Sequence, residues 1–336
     1  MHKISEQLTG YDCYFTPYYA SGYLYLLTKI GILDFTIMGG EFKRKALEYF
    51  NEHNLKKDIE GRLNQYELVF TCQDLIIPKN ILNSKIVLVQ EGMTDPETLW
   101  YKLVKTFRLP RWAASTSMTG LSHAYDIFCV ASEGYKDLFI AKGINPDKLR
   151  VTGIPNFDHY NELLASDFPH EGFVLVATSD MRETYKYENR KKFILKTAEI
   201  ANGRKLIFKL HPNENVQRAR AEINRYAPHA MVFHNIPIET MISKCSTLIT
   251  RYSSVVYKAL ALGKEVISDI SMDELKKLMP IQNGGLSARN ISNEAKSLIT
   301  ELQTENIYIV KEKFGQRINF KQKFLNKIKL AKARHS

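Results

Sequence analysis

Short apolar runs alternate along the chain with longer stretches whose apolar positions recur at helical spacing. The short runs are rich in β-branched and aromatic residues, which favour strands. This alternation predicts βα units arranged around parallel sheets. The predicted strands form two series, Asp12–Phe15, Glu67–Thr71, Lys85–Val89, Asp126–Ala131 and Val151–Gly153, then Phe173–Ala177, Lys205–Leu210, Ala230–His234, Thr247–Thr250 and Glu265–Ser268.

A polar stretch between Pro155 and Pro169 separates the two series, and a chain of 336 residues is long enough for two domains. We therefore predict one domain over residues 1–160, a second over 161–310 and a basic C-terminal helix over 311–336. The chain opens with what resembles the tail of a helix rather than with a strand and a glycine-rich turn. The first domain is thus predicted either to lack the usual opening unit or to bind no nucleotide.

Composition narrows the class of protein. The chain is 44% hydrophobic and 25% charged, which is typical of globular proteins. No apolar run approaches the roughly 20 residues of a membrane-spanning helix, and Met1–Thr9 lacks the pattern of a signal peptide. These features predict a cytoplasmic protein. The four cysteines form no CxxC pair and are interpreted as reduced, structural thiols.

The net charge of +11 indicates an anionic partner, which could be a phosphorylated substrate, a membrane surface or nucleic acid. Much of the excess lies near the C-terminus, where apolar residues alternate with cations at helical spacing. Either the apolar side packs on the protein, or the basic side contacts anionic lipid, and one helix could do both. This segment contains Phe320, Lys321, Lys323, Phe324, Leu325, Lys327, Ile328, Lys329, Leu330, Lys332 and Arg334.

Candidate chemistry follows the predicted strands, because ligands of open α/β sheets bind beyond the carboxyl ends of the strands. The run from Thr247 to Gly263 reads as a strand, a tight turn and a helix closed by glycine. Ser253 and Ser254 fall at the start of that helix, where backbone N–H groups and hydroxyls could hold a phosphate beside Arg251. The alternative is that the serines only cap the helix.

A second strand ends directly in His211 and Pro212. An imidazole at this edge can donate a hydrogen bond to a departing phosphate oxygen, although a histidine at a strand end can also be purely structural. Another strand of the second series ends in Thr178 and Ser179, whose small hydroxyl side chains could form a loop over a monophosphate or diphosphate.

In the first domain a strand runs into Gln90, Glu91 and Gly92. Gln90 and Gly92 would support a sharp turn, and Glu91 could act as a general base if burial raises its pKa. The alternative is a carboxylate that caps a helix or pairs with a lysine. No GxSxG, P-loop, DxD, HxxxH or nucleic-acid-binding motif is present, so we predict no metal, no cofactor and no nucleic-acid partner.

These segments, together with Tyr125–Asp158, resemble the GT-B superfamily, which joins the non-hydrolysing UDP-N-acetylglucosamine 2-epimerases with bacterial surface-polysaccharide transferases. The likeness spans roughly residues 65 to 270. It implies an α/β fold of two Rossmann-like domains with parallel sheets facing across a cleft. The acid-Gly, His-Pro and Ser-Ser motifs are most similar to those of bacterial CMP-sugar-dependent sialyl- and Kdo-transferases, although Gln90 stands where an acid is common.

The resemblance implies a metal-independent inverting glycosyltransferase of bacterial surface polysaccharide or glycolipid synthesis. Its substrates would be a nucleotide-sugar and a glycan or lipid-linked acceptor. By the same resemblance Glu91 is the base, and His211, Ser253 and Ser254 bind the nucleotide. Two alternatives stay open. The Arg251–Ser254 turn and the His-Pro strand end also resemble CDP-glycerol glycerophosphotransferases. A 2-epimerase is disfavoured because Tyr257 and Lys258 replace its ribose-binding acids.

Overall fold

The computed structural model describes residues 1–31, 38, 40–158, 160, 166–183 and 187–300. The predicted basic helix over 311–336 lies outside the described residues. The described part of the chain falls into two compact units, one of segments within residues 1–7, 70–77 and 88–290, the other of segments within residues 8–69, 78–87 and 291–300. The domain boundary near residue 160 stays a prediction.

The strands form two sheets flanked by helices. The first has the order β1-β2-β3-β4 and the second the order β7-β6-β5-β8-β9. The strands are β1 Leu68–Thr71, β2 Lys85–Val89, β3 Ile127–Val130, β4 Leu149–Val151, β5 Val174–Ala177, β6 Leu206–Lys209, β7 Met231–Phe233, β8 Thr247–Thr250 and β9 Glu265–Ile267. The α/β class with two parallel sheets is therefore confirmed.

Helices precede, connect and follow these strands. They are α1 His2–Ser5, α2 Tyr23–Lys29, α3 Gly40–Glu52, α4 Leu99–Thr106, α5 Glu133–Ala141, α6 Arg190–Ala201, α7 Val216–Tyr226, α8 Ile238–Lys244, α9 Val255–Ala261 and α10 Met272–Lys277, with a further helical run over 287–300. Short 3₁₀ turns occupy Ile59–Gly61, Lys79–Ile81, Arg111–Met118, Pro146–Lys148 and Pro155–Phe157.

The second sheet is built on β5, whose four residues are all buried. A strand covered on both faces needs a continuous apolar run, which is the pattern at Val174–Ala177. Val176 and Phe208 pack with Ile194 of α6 and Ile223 of α7 in one cluster of buried residues. This core fixes the strand ends that carry the candidate chemistry.

One predicted strand is wrong. Asp12–Phe15 forms no strand, and Phe15 makes only an isolated bridge to Lys57. Asp12 is exposed and pairs with Lys56 at 2.5 Å, so this segment lacks the buried apolar face that a sheet strand requires. Pro17, which has no N–H, follows two residues later and prevents a longer ladder. The chain does begin with the predicted helical segment, α1.

Among the described residues, no helix is long and apolar enough to span a membrane. The four cysteines are free thiols, with Cys129 and Cys245 buried and Cys13 and Cys72 partly buried. Burial raises the pKa of Cys72 to about 11, and the carboxylate of Glu91 contributes to the rise. Burial raises the pKa of Cys13 and Cys245 as well, so these three thiols are neutral near pH 7.

Candidate functional site

The carboxyl edge of the second sheet gathers three of the predicted motifs. Thr178 and Ser179 follow β5, His211 follows β6, and the Arg251–Ser254 turn follows β8. Because β5 lies between β6 and β8, the three loops leave neighbouring strands. Strands in a sheet lie about 4.8 Å apart, so the ends of β6 and β8 are about 10 Å apart. One bound nucleotide can span that separation.

The turn after β6 holds His211 by its backbone. Its N–H donates to the hydroxyl of Thr178 and to the carboxylate of Glu214, each over 3.1 Å. The ring Nδ1 accepts the N–H of Asn213 over 3.2 Å, which assigns the proton of the neutral ring to Nε2. Asp180 lies 3.7 Å from Nδ1 and can pair with the protonated ring. Nε2 is thus available as a donor on a side chain that is 36% exposed.

A buried ion network lies behind this turn, and sequence reasoning missed it. Arg190 donates to Glu214 over 2.6 Å and to Glu188 over 3.0 Å, and all three residues are buried. Arg182 reaches Glu188 at 3.7 Å and binds Glu222 of α7 at 2.8 Å. The network anchors Glu214, and through it His211. In the sequence, the one indication of this ion network is the three-residue spacing between His211 and Glu214.

Burial raises the pKa of Glu188, although Arg190 and Arg182 act in the opposite direction. The two cations therefore do not fully offset the cost of removing this carboxylate from water. The loop after β5 contributes to the same network. Thr178 is buried and its hydroxyl donates to Glu214, so its hydrogen-bonding capacity is already used inside the protein.

Ser179 differs from Thr178. Its hydroxyl is buried and has no hydrogen-bond partner among the described protein atoms, while its carbonyl accepts from Arg190 over 3.1 Å. An unpaired buried hydroxyl is uncommon and calls for a partner such as water or a ligand. The phosphate contacts of Thr178 and Ser179 stay predictions. Of the two hydroxyls, that of Ser179 is the one without a hydrogen-bond partner among the described protein atoms.

The turn after β8 leaves one of its two serine hydroxyls uncommitted. Ser254 is the N-cap residue of α9, and its side chain makes no capping hydrogen bond. The Ser253 hydroxyl accepts from the N–H of Val255 only at 3.5 Å. Because α9 has seven residues, hydroxyl and N–H groups matter more here than a helix dipole. Helix capping therefore does not account for Ser254.

Arg251 lies at the end of β8 and is already paired. Its Nε donates to Asp269 over 2.8 Å, and its side chain is 31% exposed. An arginine has five N–H donors, so this pair leaves others for an anion. The glycine that closes α9 is confirmed: Gly263 has a φ of +66°, and Lys264 donates back to Ala259 over 2.9 Å.

In the first sheet, Gln90 ties the end of β2 to the end of β3. Its side-chain oxygen accepts from the N–H of Ala131 over 2.9 Å, and its amide donates to the carbonyl of Gly92 over 2.8 Å. The side chain is buried, so these two bonds define the turn. Glu91 lies at the tip of this turn and is exposed, so the burial expected of the general base is not observed. Its carbonyl accepts from the side-chain amide of Asn156 at 3.4 Å.

The structure brings the acid-Gly turn and the serine turn together. A Cβ placed on Gly92 would lie 3.9 Å from both Cβ and Oγ of Ser254. The hydroxyl of Tyr252 also donates to the carbonyl of Thr94 over 2.6 Å. Glu91 therefore directly precedes a glycine that lies close to the serine turn. His211 shares the carboxyl edge of the second sheet with the serine turn, but it is not in direct contact with either turn among the described residues.

Within the described part of the chain, no group of three or more His, Cys, Asp or Glu residues is arranged to hold a metal ion. The predictions of a metal-independent and cofactor-free protein stay predictions.

No protein-family model matches the chain, and no curated protein matches it. It is similar to solved structures of UDP-N-acetylglucosamine 2-epimerases. The enzyme from Neisseria meningitidis bound to UDP-GlcNAc is 16% identical, over 77% of this chain and 72% of that chain, with a TM-score of 0.46. The enzyme from Rickettsia bellii is 12% identical over 89% and 92%, with a TM-score of 0.47.

A third similar structure is the wall teichoic acid polymerase TagF. It is 13% identical, over 78% of this chain and 77% of that chain, with a TM-score of 0.41. Because the identities are low and the TM-scores are below 0.5, these three similarities do not assign an activity to this chain.

Proposed function

We propose that this chain is a metal-independent inverting glycosyltransferase that uses a nucleotide-activated sugar, with a CMP-sugar as the favoured donor. The acceptor is a glycan or a lipid-linked glycan of a bacterial surface polysaccharide or glycolipid. The observation that carries the proposal is the closeness of Gly92 to Ser254, whose Cβ and Oγ would lie 3.9 Å from a Cβ placed on the glycine. It puts the candidate base, Glu91, beside the candidate phosphate-binding turn. A transferase needs a base on the acceptor side and phosphate-binding groups on the leaving-group side of the bond between the donor sugar and the phosphate.

In the proposed reaction the acceptor hydroxyl attacks the anomeric carbon of the donor sugar. The bond from that carbon to the phosphate oxygen breaks, and its electron pair leaves with the nucleotide. Glu91 takes the hydroxyl proton as general base. The Nε2–H of His211 and the hydroxyls of Ser253 and Ser254 donate to the phosphate as its negative charge grows.

Two features of the residues after the serine turn argue against a 2-epimerase. Tyr257 is buried, and its hydroxyl lies 3.0 Å from that of Tyr135 on α5. Lys258 donates to Glu239 over 2.6 Å. Both side chains are engaged within the protein at positions where the epimerases carry ribose-binding acids. An epimerase would still convert UDP-N-acetylhexosamine without an acceptor, so that substrate alone tests the alternative.

The proposal is tested by nucleotide binding, measured by calorimetry with CMP, CDP, UDP and GDP. We expect CMP to bind most tightly, and Ser253→Ala/Ser254→Ala to weaken that binding at least tenfold without loss of fold. Ser246→Ala is the matched control. Ser246 precedes the same strand at its other end, and its hydroxyl contacts the carbonyl of Gly172 over 3.2 Å.

Tightest binding of CDP, with glycerophosphate transfer from CDP-glycerol, would replace this proposal by the glycerophosphotransferase alternative. Unchanged CMP affinity in the folded double variant would remove the serine turn from the site.

A further inference from the structure

A cluster of exposed apolar side chains surrounds α4 and the segment after it. Surface leucines and aromatics are normal when scattered, but a contiguous group marks an interaction site. The exposed fractions in this cluster are 80% for Leu99, 51% for Trp100, 45% for Leu103, 68% for Phe107, 40% for Leu109 and 45% for Trp112. Residues 99–112 are called the α4 patch below.

The inner side of α4 is firmly packed. Tyr101 and Val104 are buried against Ala114 and Met118, and the hydroxyl of Thr98 caps the helix by accepting the N–H of Tyr101 over 3.3 Å. At 100° per residue, the exposed residues 99, 100, 103 and 107 fall within a separate arc of about 100°. The helix is thus apolar on two adjoining arcs, of which the protein core uses only one.

Every charged residue within the α4 patch is a cation, and the nearest acid in sequence is Glu97, just before the helix. Lys102, Lys105 and Arg108 are exposed, Arg111 is partly exposed, and no Asp or Glu occurs from Thr98 to Tyr125. Lys105 donates to the carbonyl of Lys142 over 2.9 Å, which leaves its charge unneutralised. This surface therefore attracts anions as well as apolar groups.

The end of α4 keeps an arginine where glycine is usual. Arg108 has a φ of +52°, and Leu109 donates to the carbonyl of Val104 over 3.0 Å. This is a Schellman motif, whose left-handed residue is commonly glycine because a Cβ is disfavoured there. A strained residue held in place points to a use for its side chain. Here the left-handed residue is an exposed cation directly after α4.

We propose that the α4 patch is a docking surface for a membrane that contains anionic phospholipid. Apolar side chains on one arc with lysine and arginine at its rim are the pattern of helices that lie in the bilayer interface. Tryptophan favours the same depth, because its ring is apolar and its N–H is polar. The core of a protein interface is instead depleted in lysine. The α4 patch contains none of the candidate site residues.

The two tryptophans of the whole chain, Trp100 and Trp112, both belong to the α4 patch. Intrinsic fluorescence of the full-length protein is therefore a direct probe of this surface. We expect the emission to shift to shorter wavelength with vesicles of phosphatidylcholine and phosphatidylglycerol, and brominated lipid to quench it. Vesicles of phosphatidylcholine alone should have a much weaker effect, and salt should weaken binding to the anionic vesicles.

Two variants separate the apolar and the charged contributions. Leu99→Ser/Leu103→Ser/Phe107→Ser should reduce vesicle binding at least tenfold. Lys102→Gln/Arg108→Gln should reduce it about 30-fold, because each cation near an anionic surface contributes about fivefold. The matched control has serine at three other exposed leucines, Leu63, Leu195 and Leu286, and should bind like the wild type. Nucleotide binding should be equal in all four proteins, which verifies folding.

Three results would overturn the proposal. Co-sedimentation with vesicles without a change in tryptophan emission would mean that another part of the chain binds lipid. A shift that depends on protein concentration and needs no vesicles would mean that a second copy covers the α4 patch. Equal binding by the serine variant and its control would mean that the exposed apolar residues are not the contact.

Discussion

The hydroxyl of Tyr252 donates to the carbonyl oxygen of Thr94 over 2.6 Å. Tyr252 lies in the turn after β8, and Thr94 lies in the loop after β2, so this bond joins the two loops that carry the candidate phosphate site and the candidate base. Thr94 is buried. Burial also raises the pKa of Tyr252, which keeps the phenol protonated as a donor throughout the neutral range.

Tyr252→Phe is therefore expected to affect both stability and the site. Loss of the bond from a buried carbonyl should lower the free energy of unfolding by about 1 kcal/mol. Nucleotide affinity should fall as well, because the serine turn loses its tie to the loop of Glu91. Urea unfolding and calorimetry measure the two effects, with Tyr187→Phe, at an 84% exposed tyrosine, as control. Unchanged nucleotide affinity would show that the tie does not organise the site.

Glu91→Gln tests the proposed base. The amide keeps the size and hydrogen bonding of the side chain but cannot take a proton, so transfer should fall by about 10²- to 10⁴-fold. Nucleotide affinity should stay at the wild-type value, since Glu91 is proposed to act on the acceptor. Glu97→Gln, at an exposed acid of the same loop, should leave transfer unchanged. Turnover of Glu91→Gln near that of the wild type would mean that the base lies elsewhere.

Arg190→Met removes the cation that joins Glu188 to Glu214. Both carboxylates would stay buried without it, and breaking a buried pair in this way usually costs about 3 to 5 kcal/mol. The variant should gain stability as the pH falls, since burial already raises the pKa of Glu188 and loss of Arg190 would raise it further. Chemical unfolding at pH 5 and pH 8 measures this, with the exposed Lys192→Met as control. A pH-independent loss would show that Arg190 acts through packing alone.

The fold was largely predictable because the strands of the second sheet have a continuous apolar pattern. Val174–Ala177 is buried on both faces, and such a run has few alternative structures in a chain of βα units. The predicted strand at Asp12–Phe15 failed for the opposite reason. Its consecutive apolar residues, Cys13 to Phe15, are typical of a strand, but whether a strand finds a partner is decided by distant parts of the chain.

The site was predictable only in part. Strand ends locate His211, Ser253 and Glu91, because the carboxyl edge of a parallel sheet is a general place for ligands. The ion network around Arg190 could not be foreseen, since its partners come from separate segments that only folding brings together. The same holds for Thr178, whose position after β5 predicted an open hydroxyl and whose actual partner is Glu214.

Asp58 makes stability depend on pH in the other unit of the chain. It is buried, and burial by itself would raise its pKa. Hydrogen bonds from Tyr66 and from the N–H groups of Leu63, Arg62 and Asn64 outweigh that effect and lower the pKa. A carboxyl with a lowered folded-state pKa contributes stability above its unfolded pKa, near 3.9, and loses it as the pH falls through the folded value.

Asp58→Asn should therefore lower the free energy of unfolding by about 1.5 to 3 kcal/mol at pH 7, the usual worth of hydrogen bonds to a charged group. The difference from the wild type should persist at pH 6 and shrink below pH 4. Urea unfolding from pH 3 to pH 7 measures it. Asp12→Asn, at an exposed aspartate, is the control. A difference that is constant down to pH 3 would mean that the charge of Asp58 is not what stabilises this turn.

Gly134 is required by a close approach of two backbones. A Cβ at this position would lie 1.8 Å from the carbonyl oxygen of Lys277, at the end of α10. Gly134 sits in the first turn of α5, where alanine would otherwise favour the helix by about 1 kcal/mol. Gly134→Ala should nevertheless lower the free energy of unfolding by about 3 kcal/mol or more, because backbone atoms on both sides must move.

Gly143→Ala is the matched control, since its Cβ would meet nothing within 4 Å and only its φ of +101° opposes the change. That strain costs about 1 to 2 kcal/mol. Thermal and urea unfolding of both variants measure the difference. A Gly134→Ala protein as stable as the Gly143→Ala protein would mean that α5 and α10 can separate at little cost. The expected larger loss would instead show that the close approach of α5 and α10 contributes to the stability of the fold.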